Sequence, residues 1–306
     1  MSVFYQISLI RPGSITPRAF DFLTEMVLEN QISAAANRIG NPDTGDWRLT
    51  WLVSTPVDLV DTIATIALGA EIAGLSDEIR ITTTDLTIEE IPADDWLERS
   101  YRGFPPFTIG RFYLYGQHHT ANVQIPDGQI PLLIDAVTAF GSGEHPTTKG
   151  CLLILDDLAQ AGHTPNKILD HGTGSGILAI AAYKLWGKQV IAADIDPESV
   201  RVAAEYRDYN HVPADMMPTY EGASPADPEI AGHGPYDLLI ANILAGPLRE
   251  LAPDMAAMTT STGLLVLSGL LETQMDEVIS AYIPHGFTLA DHKIIGDWAA
   301  LLLKRG

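Results

Sequence analysis

The stretch KILDHGTGSGILAIAAYKLWGKQVIAADIDP, residues 167–197, decides how the rest of the chain is interpreted. A short apolar run ends in Asp170, a glycine-rich turn follows, and an Ala- and Leu-rich run over 177–186 has the composition of a helix. A second apolar run, 190–193, ends in Asp194. The pattern predicts a strand, a turn, a helix and a second strand, with a carboxylate at the tip of each strand.

The three glycines of the turn, Gly172, Gly174 and Gly176, predict a ligand site. Glycine lets the backbone turn tightly and lets a ligand approach the main chain closely. The helix that follows begins with unpaired N–H groups and a positive dipole end. Asp194 lies about 20 residues beyond the glycines, where a carboxylate binds both hydroxyls of a ribose. The stretch therefore predicts a nucleoside ligand.

The glycine spacing separates two kinds of nucleoside ligand. A dinucleotide fingerprint reads G-x-G-x-x-G, whereas this turn reads G-x-G-x-G with Asp170 two residues before its first glycine. This arrangement resembles the first motif of the class I S-adenosylmethionine (SAM) methyltransferases. In that family the first acid and the glycine loop face the methionine and ribose of SAM, and the second acid holds the ribose. We therefore expect SAM, with NAD as the alternative.

Composition and charge narrow the choice of partner. The chain has 306 residues, of which 46% are hydrophobic, enough for two globular domains of ordinary size. Its formal net charge of −21 repels DNA and RNA from most of the surface and attracts basic proteins, although solubility alone is another reason for such acidity. We expect a basic protein partner and no DNA.

Cysteine content and hydropathy indicate the compartment. The single cysteine, Cys151, excludes internal disulfides and a cysteine-based zinc cluster. The first residues, MSVFYQISLI, have no basic region of the kind that opens a signal peptide, and no apolar run is long enough to span a bilayer. We expect a cytoplasmic protein that has no membrane contact and acts as a monomer.

Residues 1–90 predict a small separate domain. The expected elements are a strand over 3–9, a helix from Thr16-Pro17, a strand over 47–51, a helix from Thr55-Pro56 and a strand over 79–86. We interpret the region as a β-α-β-β-α-β, ferredoxin-like α+β domain. It contains five arginines, no lysine and many more acids. We therefore interpret it as a substrate-recognition domain for a basic partner, with a passive cap on the second domain as the alternative.

Residues 91–106 predict a linker helix that stops before Pro105 and Pro106. The second domain, 107–306, is expected to begin with strands over 107–115 and 122–125. His118 and His119 are adjacent and have no third ligand spaced nearby, so we expect no metal site.

The run AFGSGEHPTT, residues 139–148, combines two glycines and a proline with dense polar chemistry. Either Thr147 or Thr148 is placed to cap the helix that follows. One interpretation is a simple helix entry. The other is a loop that closes over the ligand and holds its amino acid end.

The C-terminal part predicts further strands of an open sheet. A buried-type strand over 236–241 ends at Asn242, where ligands of parallel α/β sheets bind. The remaining expected elements are a helix from Pro197, loop over 211–235 around at most one short strand, a strand over 263–267, a helix over 271–282 and a hairpin of 287–295 with 298–303.

Three signatures now stand in order: AFGSGEHPTTKGCL, ILDHGTGSGILAIAAYKL with IAADIDP, and DLLIANILAGPLRELAP. With the small first domain and the linker, they resemble the ribosomal protein L-11 methyltransferase (PrmA) family over nearly the whole chain. The sequence departs from that family's usual pattern at four positions. Ser142 and Glu144 replace threonines of the loop, Thr173 replaces a cysteine, and His171 fills an often apolar place. We interpret His171 as a partly exposed loop histidine, with contact to the ligand as the alternative.

The resemblance implies an α/β, Rossmann-like class I SAM methyltransferase domain preceded by the ferredoxin-like domain. It implies SAM-dependent methylation of amino groups of ribosomal protein L-11, at lysine side chains and the N-terminal amine, with the first domain docking that substrate and no metal. It also implies that Thr148, Gly172, Asp194 and Asn242 contact SAM. We add Phe140, Gly174, Gly176 and Ile195 to the predicted cofactor-binding residues.

Asn242, His145 and Thr147 are the predicted catalytic residues. The Asn242 carboxamide oxygen is expected to accept the N–H bonds of the acceptor amine, and His145 and Thr147 are assigned to the acceptor side only by their place in the loop. One alternative is a related enzyme that methylates another basic protein, and another is a SAM-binding module without turnover. An RNA methyltransferase is disfavoured by the acidic surface, and an NAD-dependent oxidoreductase is disfavoured by the glycine spacing.

Overall fold

The computed structural model describes residues 3–306 except 13, 17–18, 21, 24–27, 29–30, 40–44, 93–105, 121–122 and 136–144. The chain divides into two compact units, 1–102 and 103–306. The predicted linker helix over 91–106 falls largely outside the described residues, as do the loop residues Phe140, Ser142 and Glu144 and most of the helix predicted from Thr16. In the described part, no helix is long and apolar enough to cross a membrane.

The first unit contains an antiparallel sheet with strand order β2-β3-β1-β4 in its described residues. Its elements are β1 (Val3–Arg11), β2 (Gln31–Ile39), β3 (Asp46–Val53), α1 (Leu59–Ile72) and β4 (Leu86–Pro92). Ile7, Trp51 and Ile66 are buried in one core cluster between sheet and helix. The strand order is that of the predicted ferredoxin-like domain.

Two predicted boundaries in this unit are wrong. The helix expected from Thr55 begins at Leu59, because the Asp58 side chain accepts hydrogen bonds from the N–H groups of Val60 and Asp61. The last strand covers 86–92 rather than 79–86. The Asp85 carboxylate accepts hydrogen bonds from both the N–H and the hydroxyl of Thr82, which closes a turn where the sequence pattern favoured a strand.

The second unit opens with a small sheet of order β5-β6-β7 in its described residues. Its strands are β5 (Phe107–Ile109), β6 (Phe112–Tyr115) and β7 (Ile130–Leu133). The strand predicted over 122–125 is wrong at 123–125, which have no regular structure, and residue 122 lies outside the described residues. Strand β7 was not predicted; its Leu133 backbone is held by the Asn210 side chain, a contact far away in sequence.

The large sheet runs in the order β10-β9-β8-β11-β12-β14-β13 through the described residues. Its strands are β8 (Ile168–His171), β9 (Val190–Asp194), β10 (Thr219–Glu221), β11 (Tyr236–Asn242), β12 (Thr259–Leu271), β13 (Phe287–Ile295) and β14 (Trp298–Arg305). The first five pair in parallel, and β14 and β13 close the sheet antiparallel. The predicted C-terminal hairpin and Rossmann-like sheet are confirmed.

Helices cover both faces of this sheet. The helices are α2 (Pro146–Gln160), α3 (Ile177–Trp186), α4 (Pro197–Tyr209), α5 (Pro228–Ala231), α6 (Ala245–Glu250), α7 (Ala252–Ala257) and α8 (Met275–Tyr282). The helix predicted over 271–282 begins four residues later, at Met275, after a 3₁₀ turn. Leu238 and Ile240 of β11 belong to the core beside α2–α4, whereas Leu239 and Ala241 belong to the core beside α6–α8.

The strand order reverses between β8 and β11. From β8 the chain moves outward through β9 and β10, then returns to β11 on the other side of β8. In open α/β sheets the crevice at such a switch point, at the carboxyl ends of the strands, is where ligands bind. Asp170, Asp194 and Asn242 are all at or next to that edge.

Candidate active site

The glycine turn between β8 and α3 has the backbone conformation that only glycine adopts readily. Gly172, Gly174 and Gly176 have φ angles of 74°, 53° and 80°. The N–H groups of Gly172 and Thr173 donate to the Ala193 carbonyl, at 2.8 and 3.0 Å, which ties the turn to β9. The turn therefore holds its backbone at the carboxyl edge of the two strands.

Asp170 at the tip of β8 is fully buried. Its Oδ2 accepts hydrogen bonds from the Thr173 hydroxyl at 2.7 Å and from the Ala179 N–H at 3.0 Å. Its Oδ1 is buried and has no hydrogen-bond partner among the described residues. Burial raises the pKa of Asp170 to about 7. A buried carboxylate oxygen without a partner is costly unless a ligand donates to it.

Asp194 at the tip of β9 closes the turn from the other side. Its Oδ2 accepts a hydrogen bond from the Gly174 N–H at 2.9 Å, and its Oδ1 accepts one from the Asp196 N–H at 3.0 Å. The next residue, Ile195, leaves 70% of its surface exposed, unusual for an isoleucine. The structure thus brings together Gly174 and Asp194 and places an apolar surface beside them.

Asn242 at the end of β11 forms a hydrogen bond with a residue of α2. Its Nδ2 donates to the Thr148 hydroxyl at 3.3 Å, and Thr148 is fully buried. The other amide atom, Oδ1, is buried and has no hydrogen-bond partner within the described residues. Side chains alternate along a strand, so Asn242 and Asp170 face the same side of the sheet as α2 and α3.

His145 and Thr147 form the entry to α2. The imidazole Nδ1 accepts a hydrogen bond from the Thr147 N–H and lies 2.7 Å from the Thr147 hydroxyl, so His145 caps the helix. Its ring meets the Trp298 ring edge-on, with centroids 4.8 Å apart. Burial lowers the pKa of His145, which favours the neutral imidazole. Much of the polar chemistry assigned to the acceptor side is therefore used by the helix cap.

The expectation that His171 is partly exposed is wrong. The side chain retains 4% of its surface, and its Nδ1 is buried without a partner in the described part of the chain. It follows Asp170 in β8 and so faces the opposite side of the sheet. Burial lowers its pKa, and the nearby Asp194 and Asp227 act in the opposite direction.

Sequence reasoning missed three residues of this edge: Trp298, Ile243 and Gly269. Gly269 carried a signal, since a glycine within an apolar strand often marks a bulge or a close backbone approach. Trp298 carried no signal in the sequence, because its contact with His145 joins distant parts of the chain.

Among the described residues, no three His, Cys, Asp or Glu side chains are grouped as metal ligands. The predicted absence of a metal stays a prediction.

The sheet order, the glycine turn and an acid at the tip of each of two adjacent strands define a class I methyltransferase. The family model for ribosomal protein L11 methyltransferases (PrmA) matches residues 52–306. The chain therefore belongs to the ribosomal protein L11 methyltransferase family.

Individual relatives agree with this assignment. The chain is 37% identical to the ribosomal protein L11 methyltransferase of Rhodopseudomonas palustris over 289 residues, which cover 94% of this chain and 92% of the relative. It is 42% identical to that of Mesorhizobium japonicum over 71% of this chain and 73% of the relative. The crystal structure of the ribosomal protein L11 methylase from Lactobacillus delbrueckii subsp. bulgaricus superimposes with a TM-score of 0.58 and 28% identity, over 66% of this chain and 99% of that one.

Proposed function

We propose that this methyltransferase transfers methyl groups from SAM to amino groups of ribosomal protein L11, at lysine side chains and the N-terminal amine. The observation that carries the proposal is the unpaired Oδ1 of Asn242, a residue at the end of β11 beside the glycine turn. The family supplies the acceptor: relatives along nearly the whole chain are L11 methyltransferases.

The residues at the edge of the sheet fit SAM. The unpaired Oδ1 of Asp170 suits the cationic methionine end, and the Asp194 carboxylate suits the ribose hydroxyls. The exposed side chain of Ile195 offers an apolar surface to the purine ring. Gly172, Gly174, Gly176 and Thr148 complete the described part of the proposed binding set; Phe140 belongs to it but lies outside the described residues. When bound, SAM supplies a methyl group on a positively charged sulfur.

Asn242 has the chemistry to orient the acceptor. An amine attacks only when neutral, and a lysine in water has a pKa of about 10.4. Desolvation next to a positive charge lowers that pKa, so a strong base is not required. Asn242 Oδ1 accepts an N–H of the amine and aims its lone pair, while Nδ2 stays bonded to Thr148. The protein contributes alignment, which is worth several kcal/mol of the barrier.

His145 and Thr147 are proposed to shape the acceptor side through α2. Their hydrogen bonds fix the first turn of that helix, which carries Thr148. They therefore act on the amine through Thr148 and Asn242, and we assign them as positioning residues.

The first unit is proposed to dock the acceptor protein through the outer face of α1. Val60, Leu68 and Ile72 expose 65%, 59% and 81% of their surfaces and lie at helical spacings of eight and four residues, on one face. We call these three residues the α1 stripe. An exposed apolar row of this kind marks an interaction surface.

The acidic residues near the α1 stripe indicate which kind of protein binds there. Three exposed acids, Asp58, Asp61 and Glu71, lie on the same helix or at its start, and α1 itself contains no basic residue. A second copy of the chain would bring like charges together, whereas a lysine-bearing acceptor would meet opposite charge. The acceptor protein is therefore the proposed occupant, and the enzyme is expected to act as a monomer in the cytoplasm, where ribosomes assemble.

A labelling experiment tests the acceptor. Incubation with methyl-labelled SAM and a methylation-free ribosomal extract should label the L11 band, and the label should resist RNase. Label in another basic protein would support the related lysine methyltransferase instead. Label lost on RNase treatment would contradict protein methylation, and no label with SAM bound would indicate a binding module.

A further inference from the structure

Ile243, the residue after Asn242, lies between two glycines that have no room for a side chain. A Cβ on Gly172 would lie 2.2 Å from the Ile243 Cγ2 atom. A Cβ on Gly269 would lie 2.1 Å from the Ile243 carbonyl oxygen and 2.6 Å from its carbonyl carbon. We call this three-residue contact the Ile243 clamp. Gly172 of the glycine turn packs against the Ile243 side chain, and Gly269 of β12 packs against the Ile243 backbone.

The strand pairing explains why Gly269 comes so close. Asn242 pairs in register with Ser268, and the β12–β14 ladder shifts between Ser268 and Leu270, leaving Gly269 in a bulge. Gly269 has a φ of 89°, so its backbone bends toward the chain as that chain leaves β11. The clamp therefore acts at the first residue beyond the strand, where the sheet ladder no longer fixes the backbone.

Gly269 differs from glycines that serve only turns. Gly286 has nearly the same φ, 85°, and a Cβ built there meets nothing within 4 Å. Position 286 requires glycine only because of its positive φ. Position 269 requires glycine because of its positive φ and because a Cβ would collide with the Ile243 backbone. Gly269 lies within β12, where glycine weakens a strand unless a close approach requires it.

We infer that Gly269, together with Gly172, is a positioning residue that fixes the direction of the Asn242 carboxamide. This inference rests on the proposed function, since it assigns a purpose to that direction. The Asn242 side chain has one described hydrogen bond, to Thr148, and its Oδ1 is free for the amine. The backbone beside it must then be held rigidly, because a misplacement of about 1 Å costs roughly 100-fold in rate.

The test compares Gly269→Ala with Gly286→Ala. Both variants force alanine into a left-handed conformation, and only Gly269→Ala also collides with a backbone. Gly269→Ala should lower kcat by roughly 30- to 100-fold while the Kd for SAM and the KM for L11 change less than about threefold. Gly286→Ala should lose a similar conformational stability and keep its kcat. If the two variants had equal kcat values after correction for the fraction of each that is folded, the inference would be overturned.

Two further measurements keep the test decisive. Ile243→Ala removes Cγ2, so it should partly rescue Gly172→Ala and should not rescue Gly269→Ala, whose collision is with the backbone. Crystal structures of the Gly269 and Gly286 variants should show the Asn242 amide displaced only in the first. An undisplaced amide would refute the clamp even if kcat fell, whereas a wild-type enzyme inactive on L11 would refute the proposed function and leave this structural readout valid.

Discussion

Two asparagines of the second unit show how one residue type serves folding or chemistry. Asn210 is buried with both amide atoms bonded: Oδ1 accepts from Leu133 N–H and Lys184 Nζ, and Nδ2 donates to the Leu133 and Tyr206 carbonyls. Asn242 donates one bond, to Thr148, and its buried Oδ1 is without a partner in the described residues. The first asparagine is satisfied by the fold, whereas the second keeps an acceptor atom for the amine proposed above.

Substituting each asparagine should separate these roles. Asn242→Ala should reduce kcat by about 100-fold or more and change the free energy of unfolding by less than about 1 kcal/mol. Asn210→Ala should lower the free energy of unfolding by about 2–3 kcal/mol and leave the kcat of the folded fraction unchanged. Steady-state kinetics and urea unfolding of both variants measure this. A loss of stability in Asn242→Ala as large as its loss of turnover would make it a structural residue.

Asp170 should link SAM binding to pH. Its pKa in the folded protein is raised from 3.8 to about 7, so its protonated form stabilises the fold at low pH. That contribution is lost as pH rises from about 4 through 7. A cationic ligand favours the carboxylate, so SAM binding near pH 7 should release a proton.

Calorimetry in buffers of different ionisation enthalpy measures the released proton. The wild type should show a buffer-dependent heat near pH 7, and Asp170→Asn should show none while its stability changes less between pH 4 and 7. A wild-type heat that is the same in every buffer would contradict the assignment of Asp170 to the cationic end of the ligand.

At the scale of the elements, helix α2 connects its N-terminal cap, His145, to the Asn242 side chain in the proposed active site. Its first turn is closed by His145, and it carries Thr148, which holds Asn242. His145→Ala should cost about 1 kcal/mol of stability, comparable with Asp58→Ala at the start of α1, and should lower turnover, which Asp58→Ala should not. His145→Asn retains a capping side chain and should recover stability.

Thermal unfolding and kinetics of these three variants measure the effect. Full stability and full turnover in His145→Ala would remove both the capping and the positioning role.

The elements that could be predicted are those whose cause is local. Helix α3 and strand β9 follow from apolar runs bounded by glycine and aspartate, and the structure has them at 177–186 and 190–194. Strand β4 could not be located, because a side-chain turn at Asp85 outweighs the strand pattern before it, and the strand itself includes two consecutive glutamates. Strand β7 depends on Asn210, which is distant in sequence.

The same division holds for the site. Asp170, Asp194 and Asn242 could be predicted at the sheet edge because each ends an apolar run of the sequence. The cap made by His145, the burial of His171 and the space occupied by Ile243 depend on packing between elements, which a single sequence does not encode locally.

On the scale of the whole molecule, we propose that the first unit recognises the acceptor protein. Leu68→Ser with Ile72→Ser should raise the KM for intact L11 by about tenfold and leave kcat and the Kd for SAM unchanged, because truncating central apolar contacts weakens docking. Ile294→Ser on β13, 37% exposed, is the matched control and should change nothing.

Kinetics and sedimentation velocity measure this prediction. An unchanged KM in the double variant would refute docking through the α1 stripe, and a wild-type dimer that this variant dissociates would make the stripe a self-association surface.

The most direct measurement uses purified components in a single turnover: enzyme with SAM in excess over unmethylated L11, followed by mass spectrometry of L11 and its peptides. We predict that L11 gains methyl groups on lysine side chains and the N-terminal amine, that Asn242→Ala slows the gain by about 100-fold, and that folded Asn210→Ala does not. Methyl groups on any atom other than an amine nitrogen, or an unmodified L11 after SAM has bound, would contradict the proposed amine methylation.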